Sequence, residues 1–350
     1  MILLIAHADD DSVPPVARRL AELGAPYVQF DPRTAPSLAR IDVEHSRRGV
    51  IARTLRFGDI TLDLAEVRAV WNRAKLRPVA DPDVTPDQAW WVAENLVRVL
   101  LDLYERIDCV WMPERPSASH NPFRARKETD PACDLLSTRH PEPSANNKHY
   151  QFDVATALGF SVPRTLVTNV PERFLAFYEE CGGQVISKRA ANVNAFREGE
   201  DVGLYTYPVQ RRDLIGYQSV RYAPVVFQER VPKQIELRVT VVGRQVFAAA
   251  IRSQESTRLQ TDWRHYATYG NAQHYSPHVL PADVERRCTD LVSALGLCFG
   301  ALDLILTPDG DYVFLEVNLH GQYLWIEKIT GMPISNAIAE FLVDASRATA

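Results

Sequence analysis

A segment near the C-terminus, GALDLILTPDGDYVFLEVN at residues 300–318, places acidic and amide side chains where they could bind a cation. Residues 308–311 (PDGD) are typical of a turn between two apolar strands. If the strands pair symmetrically about the Asp-Gly dipeptide of this turn, Asp303 lies directly opposite Glu316 on one face of the hairpin. Asn318 lies on the same face, two residues further along, because side chains alternate along a strand.

These three side chains form a donor set of hard oxygen atoms. Two facing carboxylates repel each other unless a cation or hydrogen bonds compensate. Mg²⁺ prefers carboxylate and carbonyl oxygens and usually shares its coordination with substrate phosphates. The segment therefore predicts a magnesium site formed by Asp303, Glu316 and Asn318. The alternative is a solvated sheet face whose acids aid solubility, but the apolar neighbours favour an interior face.

A magnesium–phosphate site also needs cations near the phosphate oxygens, and two lysines stand at the ends of predicted elements. Lys188 ends a strand in QVISK, and Lys148 opens a helix in NNKHY. Either lysine alone is more typical of a solvated surface. The segment FQERV at 227–231 could form an exposed strand edge, whose backbone amide and carbonyl groups would suit the edge of an adenine ring.

The composition disfavours several classes of protein. A chain of 350 residues favours two or three structural units. The net charge of −5, from 39 Lys and Arg against 44 Asp and Glu, disfavours a partner that is a nucleic acid or an anionic membrane. No apolar stretch approaches the roughly 20 residues of a membrane span. The five cysteines form no C-x-x-C pair, so we predict free thiols and a cytoplasmic location.

The pattern of the first third predicts an open α/β unit. Residues 2–5 and 27–30 are apolar runs typical of short strands, separated by a helix. A third strand at 69–71 precedes a helix over 86–107, whose leucines recur at helical spacing. Residues 113–146 are rich in Pro, Ser, Asn and charge and lack periodicity, which predicts a long surface loop at a domain boundary.

The remaining residues predict an α+β unit with antiparallel strands. We expect helices over 148–158, 172–181, 282–295 and 333–344. Strands are predicted near residue 165 and over 184–188, 223–231, 236–242 and 245–251, before the hairpin at 300–318.

The order of these elements and motifs resembles that of the ATP-grasp superfamily. Two lysines, Q-E-x-V, E-L-R, the hairpin Asp and E-V-N follow one another within residues 147–345. Within the superfamily the chain resembles the microviridin-type peptide ligases, also called graspetide synthetases. The segments IAHADDDSV, VWNRAK and especially LEVNLHGQYLWIEKITGMPIS are similar to motifs of these enzymes.

The resemblance implies a mixed α/β and α+β chain with an ATP-grasp fold. Residues 1–112 would form an N-terminal open α/β (pre-ATP-grasp) domain, and 113–146 a linker insertion. Residues 147–350 would form the central and C-terminal lobes of the ATP-grasp unit.

The resemblance also implies a role for each residue that matches the family motifs. Adenine would bind chiefly to the backbone of Glu229 and Val231, and the ribose hydroxyls to Glu236. The residues implied to bind ATP are Lys148, Lys188, Gln228, Glu229, Val231, Glu236 and Arg264. Those implied to neutralise charge during catalysis are Arg238, Arg264 and Lys188. Those implied to bind the substrate are Arg238, Arg252 and Arg264, and Mg²⁺ would bind Asp303, Glu316 and Asn318.

The chemistry that the resemblance implies is activation of a carboxylate. Transfer of the γ-phosphoryl group of ATP gives an acyl phosphate, whose leaving group is phosphate in place of oxide, and a hydroxyl or amine then attacks. In the family, this reaction joins Asp or Glu side chains to Thr, Ser or Lys side chains of one ribosomally made precursor peptide. The implied partners are therefore that peptide, with its leader and acidic core, and a second copy of the chain in a homodimer.

Two other functions remain open at the level of sequence. One is an ATP-grasp ligase that adds free amino acids to a carboxylate, which shares the lysines and E-V-N. The other is a non-catalytic scaffold that binds ATP and a peptide, but the metal carboxylates and phosphate lysines are all present. No general base is evident, since His265 and His274 are more typical of surface residues.

Overall fold

The computed structural model describes residues 1–35, 38–47, 49–74, 83–114, 145–188, 195–197, 200–202, 206–255 and 274–348. The predicted site residue Arg264 and the neighbouring His265 lie outside these ranges. Residues 115–144, most of the predicted loop, also lie outside them.

A parallel sheet forms the first unit, as the apolar runs predict. Its strands are β1 (Ile2–Ile5), β2 (Tyr27–Phe30), β6 (Ala69–Asn72) and β7 (Val110–Met112), in the order β2-β1-β6-β7. Every residue of β1 is buried, because helices cover both faces of the sheet. These helices are α1 (Val13–Glu22), with Pro in its first turn, and α2 (Pro86–Glu105). The open α/β prediction is confirmed, and α2 ends two residues earlier than predicted.

A small antiparallel sheet that the sequence analysis did not predict lies between β2 and β6 along the chain. It consists of β3 (Ala39–Ser46), β4 (Gly49–Phe57) and β5 (Ile60–Asp63), in the order β3-β4-β5. Leu55 and Leu62 from its inner face pack in the same core as Leu3 and Ile5 of β1.

A second antiparallel sheet carries the predicted adenine strand. It contains β8 (Thr165–Thr168), β9 (Val185–Lys188), β12 (Tyr207–Pro208) and β13 (Val225–Glu229), in the order β12-β9-β13-β8. Helix α4 (Pro171–Glu180) covers one face, where Phe174 stacks on Phe227 with ring centroids 4.1 Å apart. Strands β10 (Ala195–Arg197) and β11 (Glu200–Val202) form a separate hairpin, and a 3₁₀ helix spans Arg211–Tyr222.

The largest sheet has five antiparallel strands and carries the predicted metal hairpin. They are β14 (Ile235–Val242), β15 (Gln245–Ile251), β16 (Tyr275–Pro277), β17 (Phe299–Leu306) and β18 (Tyr312–Asn318), in the order β16-β15-β14-β17-β18. Helices α3 (Lys148–Ala157) and α5 (Ala282–Ala294) share one apolar core with this sheet. Strand β18 is the edge strand of this sheet, so one side of its backbone pairs with no other strand of the described residues.

The last two helices join the large sheet to the first unit. They are α6 (Leu324–Thr330) and α7 (Ile334–Ala348). Buried residues of α7, among them Ile338 and Leu342, share a core with β1, with α1 and with Val242 of β14. Among the helices within the described ranges, none combines the length and the apolar composition needed to cross a lipid bilayer. The four cysteines in these ranges, Cys109, Cys181, Cys288 and Cys298, are unlinked thiols.

Candidate active site

The hairpin of β17 and β18 brings Asp303 and Glu316 directly opposite each other, as the sequence predicts. The register near the turn differs from the predicted one, because Leu306 pairs with Tyr312 and Leu304 with Phe314. An irregularity between Asp303 and Leu304, with an extra residue on β18, restores the predicted pairing at the carboxylates. The two acids therefore meet because of a β-bulge rather than because of the symmetry of the turn.

Asp303 is held by a cation and an amide. Arg238 Nη1 donates to Asp303 Oδ1 at 2.9 Å and to Oδ2 at 3.0 Å, from the adjacent position on β14. Both side chains are largely buried, with 7% and 14% of their surfaces exposed. Asn318 Nδ2 donates to Asp303 Oδ2 at 3.1 Å, so the third predicted ligand converges on the same carboxylate.

Glu316 is paired with a lysine from a distant part of the chain. Lys148 Nζ lies 2.5 Å from Glu316 Oε2, and about a third of the lysine side chain is exposed. Lys148 is the first residue of α3, and Asn147 caps this helix by accepting from the amides of His149 and Tyr150. The cap fixes where the helix begins and therefore where the lysine side chain leaves it.

Gly321 allows this cluster to pack closely. A Cβ atom at this position would lie 2.3 Å from Ala301 Cβ and 2.9 Å from Arg238 Nη2. Ala301 is the strand partner of Asn318, so the glycine touches both the arginine and the metal hairpin. Only a residue without a side chain fits between them.

Of the predicted adenine residues, Gln228 and Glu229 lie on β13 in the smaller antiparallel sheet, and Val231 follows the end of this strand. Gln228 is buried and donates from Nε2 to Thr165 Oγ1 at 2.9 Å. The amide of Glu229 donates to the carbonyl oxygen of Arg164 at 2.9 Å. Lys188 ends β9 and pairs with Val226 of β13, so the predicted phosphate lysine and the adenine strand belong to one sheet.

Glu236, the predicted ribose ligand, lies on β14 two residues before Arg238. Lys233 Nζ donates to Glu236 Oε1 at 2.7 Å, whereas Oε2 is buried and makes no hydrogen bond within the described residues. The pKa of the Glu236 carboxyl is raised, chiefly by burial and also by the charge of Asp303. The Lys233 ammonium and the Ser253 hydroxyl oppose this shift without cancelling it. A buried carboxylate oxygen of this kind suits a hydroxyl donor such as a ribose.

The remaining predicted residues flank this face or lie outside the described ranges. Arg252 follows the end of β15, is exposed, and donates its amide to the carbonyl oxygen of His274 at 2.9 Å. His274 Nδ1 lies 3.3 Å from Glu255 Oε2 at the surface. Arg264 and the loop around it are outside the described part of the chain, so its predicted role stays a prediction.

The donor chemistry of the hairpin fits Mg²⁺. The described residues contain no group of three or more His, Cys, Asp or Glu side chains arranged to hold a metal ion. The predicted metal site on the hairpin has only two acidic side chains, Asp303 and Glu316, and the amide of Asn318 is its third ligand. Mg²⁺ in phosphoryl-transfer sites is typically bound by one or two carboxylates and the substrate phosphates, which matches this set.

Two residues next to the predicted site residues were not identified from the sequence. Lys233 neutralises Glu236, and the spacing of three residues was an available signal. Gln151 is 1% exposed and binds the backbone of β18. A polar residue on the buried side of a helix needs a hydrogen-bond partner, and this was the sequence signal that could have indicated its role. Neither contact can be assigned without the fold.

A second charged cluster lies at the carboxyl edge of the N-terminal parallel sheet, where β1 and β2 end. Asp31 accepts hydrogen bonds from the amides of Ala8 at 2.8 Å and Arg33 at 2.9 Å. The Arg33 guanidinium and His7 Nδ1 also lie within 3.2 Å of its carboxylate. Burial raises the pKa of Asp31, but the hydrogen bonds from Arg33, Ala8 and His7 outweigh this effect and hold it far below its usual range.

The structure was compared with known proteins. Neither a family model nor a curated protein matches the sequence. Among solved structures, macrocyclase MdnC from Microcystis aeruginosa MRC, bound with precursor peptide MdnA, is 27% identical, with a TM-score of 0.77 over 98% of this chain and 99% of that chain. Macrocyclase MdnB from the same organism is 29% identical, with a TM-score of 0.71 over 98% of both chains.

A third similar structure is the RiPP-associated ATP-grasp ligase of Chryseobacterium gregarium, in complex with ADP and a leader and core peptide. It is 25% identical, with a TM-score of 0.83 over 98% of this chain and 96% of that chain. The chain therefore has the predicted ATP-grasp fold, with a parallel N-terminal sheet and antiparallel sheets. Its predicted resemblance to peptide ligases that form macrocycles is confirmed over nearly the full length.

Proposed function

We propose that this chain is an ATP-dependent peptide ligase that forms macrocycles in a ribosomally made precursor peptide. It phosphorylates Asp or Glu side chains of the peptide and joins them to Thr or Ser hydroxyls, or to Lys amines, of the same peptide. The observation that carries the proposal is the paired Asp303 and Glu316, flanked by Arg238 and Lys148, within a fold similar over its length to peptide macrocyclases.

The proposed metal residues are Asp303, Glu316 and Asn318. Bound there, Mg²⁺ would supply positive charge to the phosphate oxygens during transfer. In the structure each carboxylate is paired with a cation, Arg238 on Asp303 and Lys148 on Glu316. With Asp303 and Glu316 holding Mg²⁺, Arg238 and Lys148 would be available for phosphate oxygens or for the substrate carboxylate. The exchange keeps every charge compensated.

The nucleotide would lie between the large sheet and the smaller antiparallel sheet. Because the Glu229 amide donates to Arg164, an adenine contact at Glu229 would use its carbonyl oxygen, and Val231 would supply the amide. Glu236 Oε2 would accept from a ribose hydroxyl, which satisfies a buried oxygen. The other residues proposed to hold ATP are Lys148, Lys188, Gln228 and Arg264.

The chemistry then depends on positioning and charge. The γ-phosphoryl group moves to a carboxylate oxygen of the peptide, ATP becomes ADP, and the product is an acyl phosphate. A hydroxyl or amine of the peptide attacks the acyl carbon, and inorganic phosphate leaves. Each ring therefore costs one ATP and removes one water from the peptide. Arg238, Lys188 and Arg264 would neutralise the transferred group, and Arg238, Arg252 and Arg264 would bind the acidic peptide.

The proposal extends to the assembly and the location of the protein. We propose a homodimer, as the sequence resemblance implies, and a cytoplasmic location, where ATP is available and the four described cysteines stay reduced. Size-exclusion chromatography with light scattering tests the first, and fractionation of the source cells tests the second.

The activity is tested by incubating the purified chain with the short peptide encoded beside it that is rich in Asp or Glu and in Thr, Ser or Lys. We expect mass spectrometry to show the loss of one water per ring, with both ATP and Mg²⁺ required. The matched control peptide carries Asn and Gln at the acidic core positions and stays unmodified.

Two outcomes would contradict the proposal. ATP-dependent addition of free amino acids to an otherwise uncyclised peptide would assign the chain to the other group of ATP-grasp ligases. Binding of ATP and peptide without hydrolysis would indicate a non-catalytic scaffold.

A further inference from the structure

Gln151 connects the helix that carries Lys148 to the strand that carries Glu316 and Asn318. Its side chain is 1% exposed and makes three hydrogen bonds to backbone atoms. Nε2 donates to the carbonyl oxygens of Ala145 at 2.7 Å and Val317 at 2.9 Å, and Oε1 accepts from the amide of Val317 at 2.9 Å. A buried carboxamide is costly unless its donors and acceptor are satisfied, and here all three bonds are short.

The two bonds to Val317 replace a missing strand. Strand β18 is at the edge of its sheet, and within the described residues the outer side of its backbone meets only an isolated bridge between Val313 and Ser161, not a strand. Gln151 binds both the amide and the carbonyl group of one residue on this outer side, as a neighbouring strand would. The edge is thereby closed at one defined position.

That position lies between two of the proposed metal ligands. Val317 is buried in the core, whereas Glu316 and Asn318 on either side of it point to the opposite face, because side chains alternate along a strand. Gln151 therefore fixes the backbone between these ligands from the outer edge of the sheet, without a hydrogen bond to the side chain of either ligand. On the other side of the bulge, the amide of Phe314 donates to the carbonyl oxygen of Ser161 at 2.8 Å. The strand is held on both sides of the irregularity that pairs Asp303 with Glu316.

The same side chain also orients Lys148. Residues three apart on a helix lie on the same face, so Lys148 and Gln151 project from α3 toward the same part of β18. Gln151 anchors that face at Val317, and Lys148 Nζ then lies 2.5 Å from Glu316 Oε2. One carboxamide thus sets the distance between a proposed phosphate cation and a proposed metal carboxylate.

We propose that Gln151 is a positioning residue for the magnesium–nucleotide site, acting through the backbone of β18 and through Lys148. This inference rests on the proposed function, because it assumes that Glu316 and Asn318 bind the metal ion. The inference adds that α3 must hold the edge strand in place for Glu316 and Asn318 to converge on the metal ion.

The test measures the affinity of the full-length protein for Mg²⁺ at saturating ADP by calorimetry, alongside its thermal unfolding. For Gln151→Leu, which removes all three bonds, we expect Mg²⁺ to bind about tenfold more weakly or worse, as is typical when a residue that orients metal ligands is lost. Raised Mg²⁺ should restore much of the cyclisation rate. Gln151→Met also loses the three bonds but keeps the length of the side chain, so it should fold more readily and weaken Mg²⁺ binding to a similar extent.

The matched control is Leu291→Ala on α5. This substitution opens a cavity in the same apolar core but removes no hydrogen bond, because a leucine side chain makes none. This variant should lower the unfolding temperature and leave the Mg²⁺ affinity within about twofold of the wild type, because it keeps all three hydrogen bonds of Gln151. If Gln151→Leu behaves in the same way, its role is structural and the inference is wrong.

Two further outcomes separate the inference from the proposed function. If the wild-type protein binds no Mg²⁺ with ADP, the proposed function fails and the inference fails with it. If the wild type binds Mg²⁺ and Gln151→Leu does not fold, Gln151→Met decides, since an Mg²⁺ affinity equal to that of the wild type in this variant would also overturn the inference.

Discussion

Two charged clusters in this molecule both pair carboxylates with cations, but they differ in how the carboxylates are held. At the edge of the parallel sheet, Asp31 accepts from two backbone amides as well as from Arg33 and His7. On the metal hairpin, Asp303 and Glu316 are held, in the contacts described above, by side chains, and their cations come from β14 and α3. The partners of Asp31 lie within 24 residues of it and are partly backbone groups, whereas Arg238 lies 65 residues from Asp303 and Lys148 lies 168 residues from Glu316.

Under the proposed function, the difference separates a structural cluster from one whose cations would exchange with Mg²⁺. A backbone amide cannot leave its carboxylate without moving a strand end, so the bonds to Asp31 persist as long as the N-terminal sheet does. A guanidinium or ammonium group at the end of a long side chain can move to a phosphate when a metal ion takes its place. Charged residues in a crevice are therefore weak evidence of a site until the type of each partner is known.

The largest expected effect comes from breaking the exchangeable cluster. Glu316→Gln keeps the size of the side chain but removes the charge that Mg²⁺ and Lys148 need. We expect the cyclisation rate to fall about 10²–10³-fold or more, as when a preorganised electrostatic contact is lost. The free energy of unfolding should change by less than about 1 kcal/mol, because the pair with Lys148 is partly exposed. Peptide mass spectrometry over time and chemical denaturation measure the two quantities.

The matched control for this prediction is Glu340→Gln. Glu340 also forms a short ion pair, 2.7 Å from Arg19 Nη2, but on the surface of α7. Its rate of cyclisation should equal that of the wild type. Normal cyclisation by Glu316→Gln would remove Glu316 from the metal site and would leave Asp303 and Asn318 without their proposed partner.

A smaller effect should follow from Gly321→Ala, which disturbs the packing of the cluster and leaves its charges intact. The added Cβ would lie within 2.3 Å of Ala301 Cβ and 2.9 Å of Arg238 Nη2, so the backbone or the guanidinium must shift. We expect cyclisation to slow by about tenfold or more and stability to fall by about 1–3 kcal/mol, as in other overpacked sites. Gly216→Ala is the control, since a Cβ there meets nothing within 4 Å. Equal rates for both variants would show that close packing at Gly321 does not matter.

Much of the element order could be predicted, because Pro, Gly and apolar periodicity mark element ends locally. Strand β2 has the predicted bounds, and α3 and α5 each end one residue before their predicted ends. The sheet of β3, β4 and β5 was missed, although Ala39, Ile41 and Val43 alternate with charged residues. This alternation is the signal of a half-buried strand, so the omission was avoidable.

The geometry of the site shows a limit of a different kind. The pairing of Asp303 with Glu316 was predicted correctly from a symmetric turn that the hairpin does not have. The turn instead centres one half-step away, and a bulge at β18 compensates. On either side of the bulge, β18 is hydrogen-bonded to Ser161 and Gln151, which lie more than a hundred residues away in sequence. A local pattern cannot reveal such contacts, nor the pairing of Lys148 with Glu316.

The smallest effect on activity, and a distinct effect on stability, is expected from Asp31→Asn in the structural cluster. The native pKa of Asp31 lies below its ordinary value of about 3.9, so its ionised form stabilises the fold above that pH, and this contribution is lost as the pH falls through the native pKa. We expect the variant to be about 1–3 kcal/mol less stable at pH 7, the typical result of weakening hydrogen bonds to a charged group. The difference should shrink as the pH falls below about 4, while cyclisation at pH 7 stays within about threefold of the wild type.

Denaturation midpoints over a pH series measure this difference in stability. The control is Asp344→Asn, which changes an exposed acid 3.9 Å from Arg347 and should leave the stability unchanged. A stability difference that is constant down to pH 3 would show that the charge of Asp31 is not what stabilises the sheet edge, and a large loss of cyclisation would place this cluster in the active site and remove the distinction between the two.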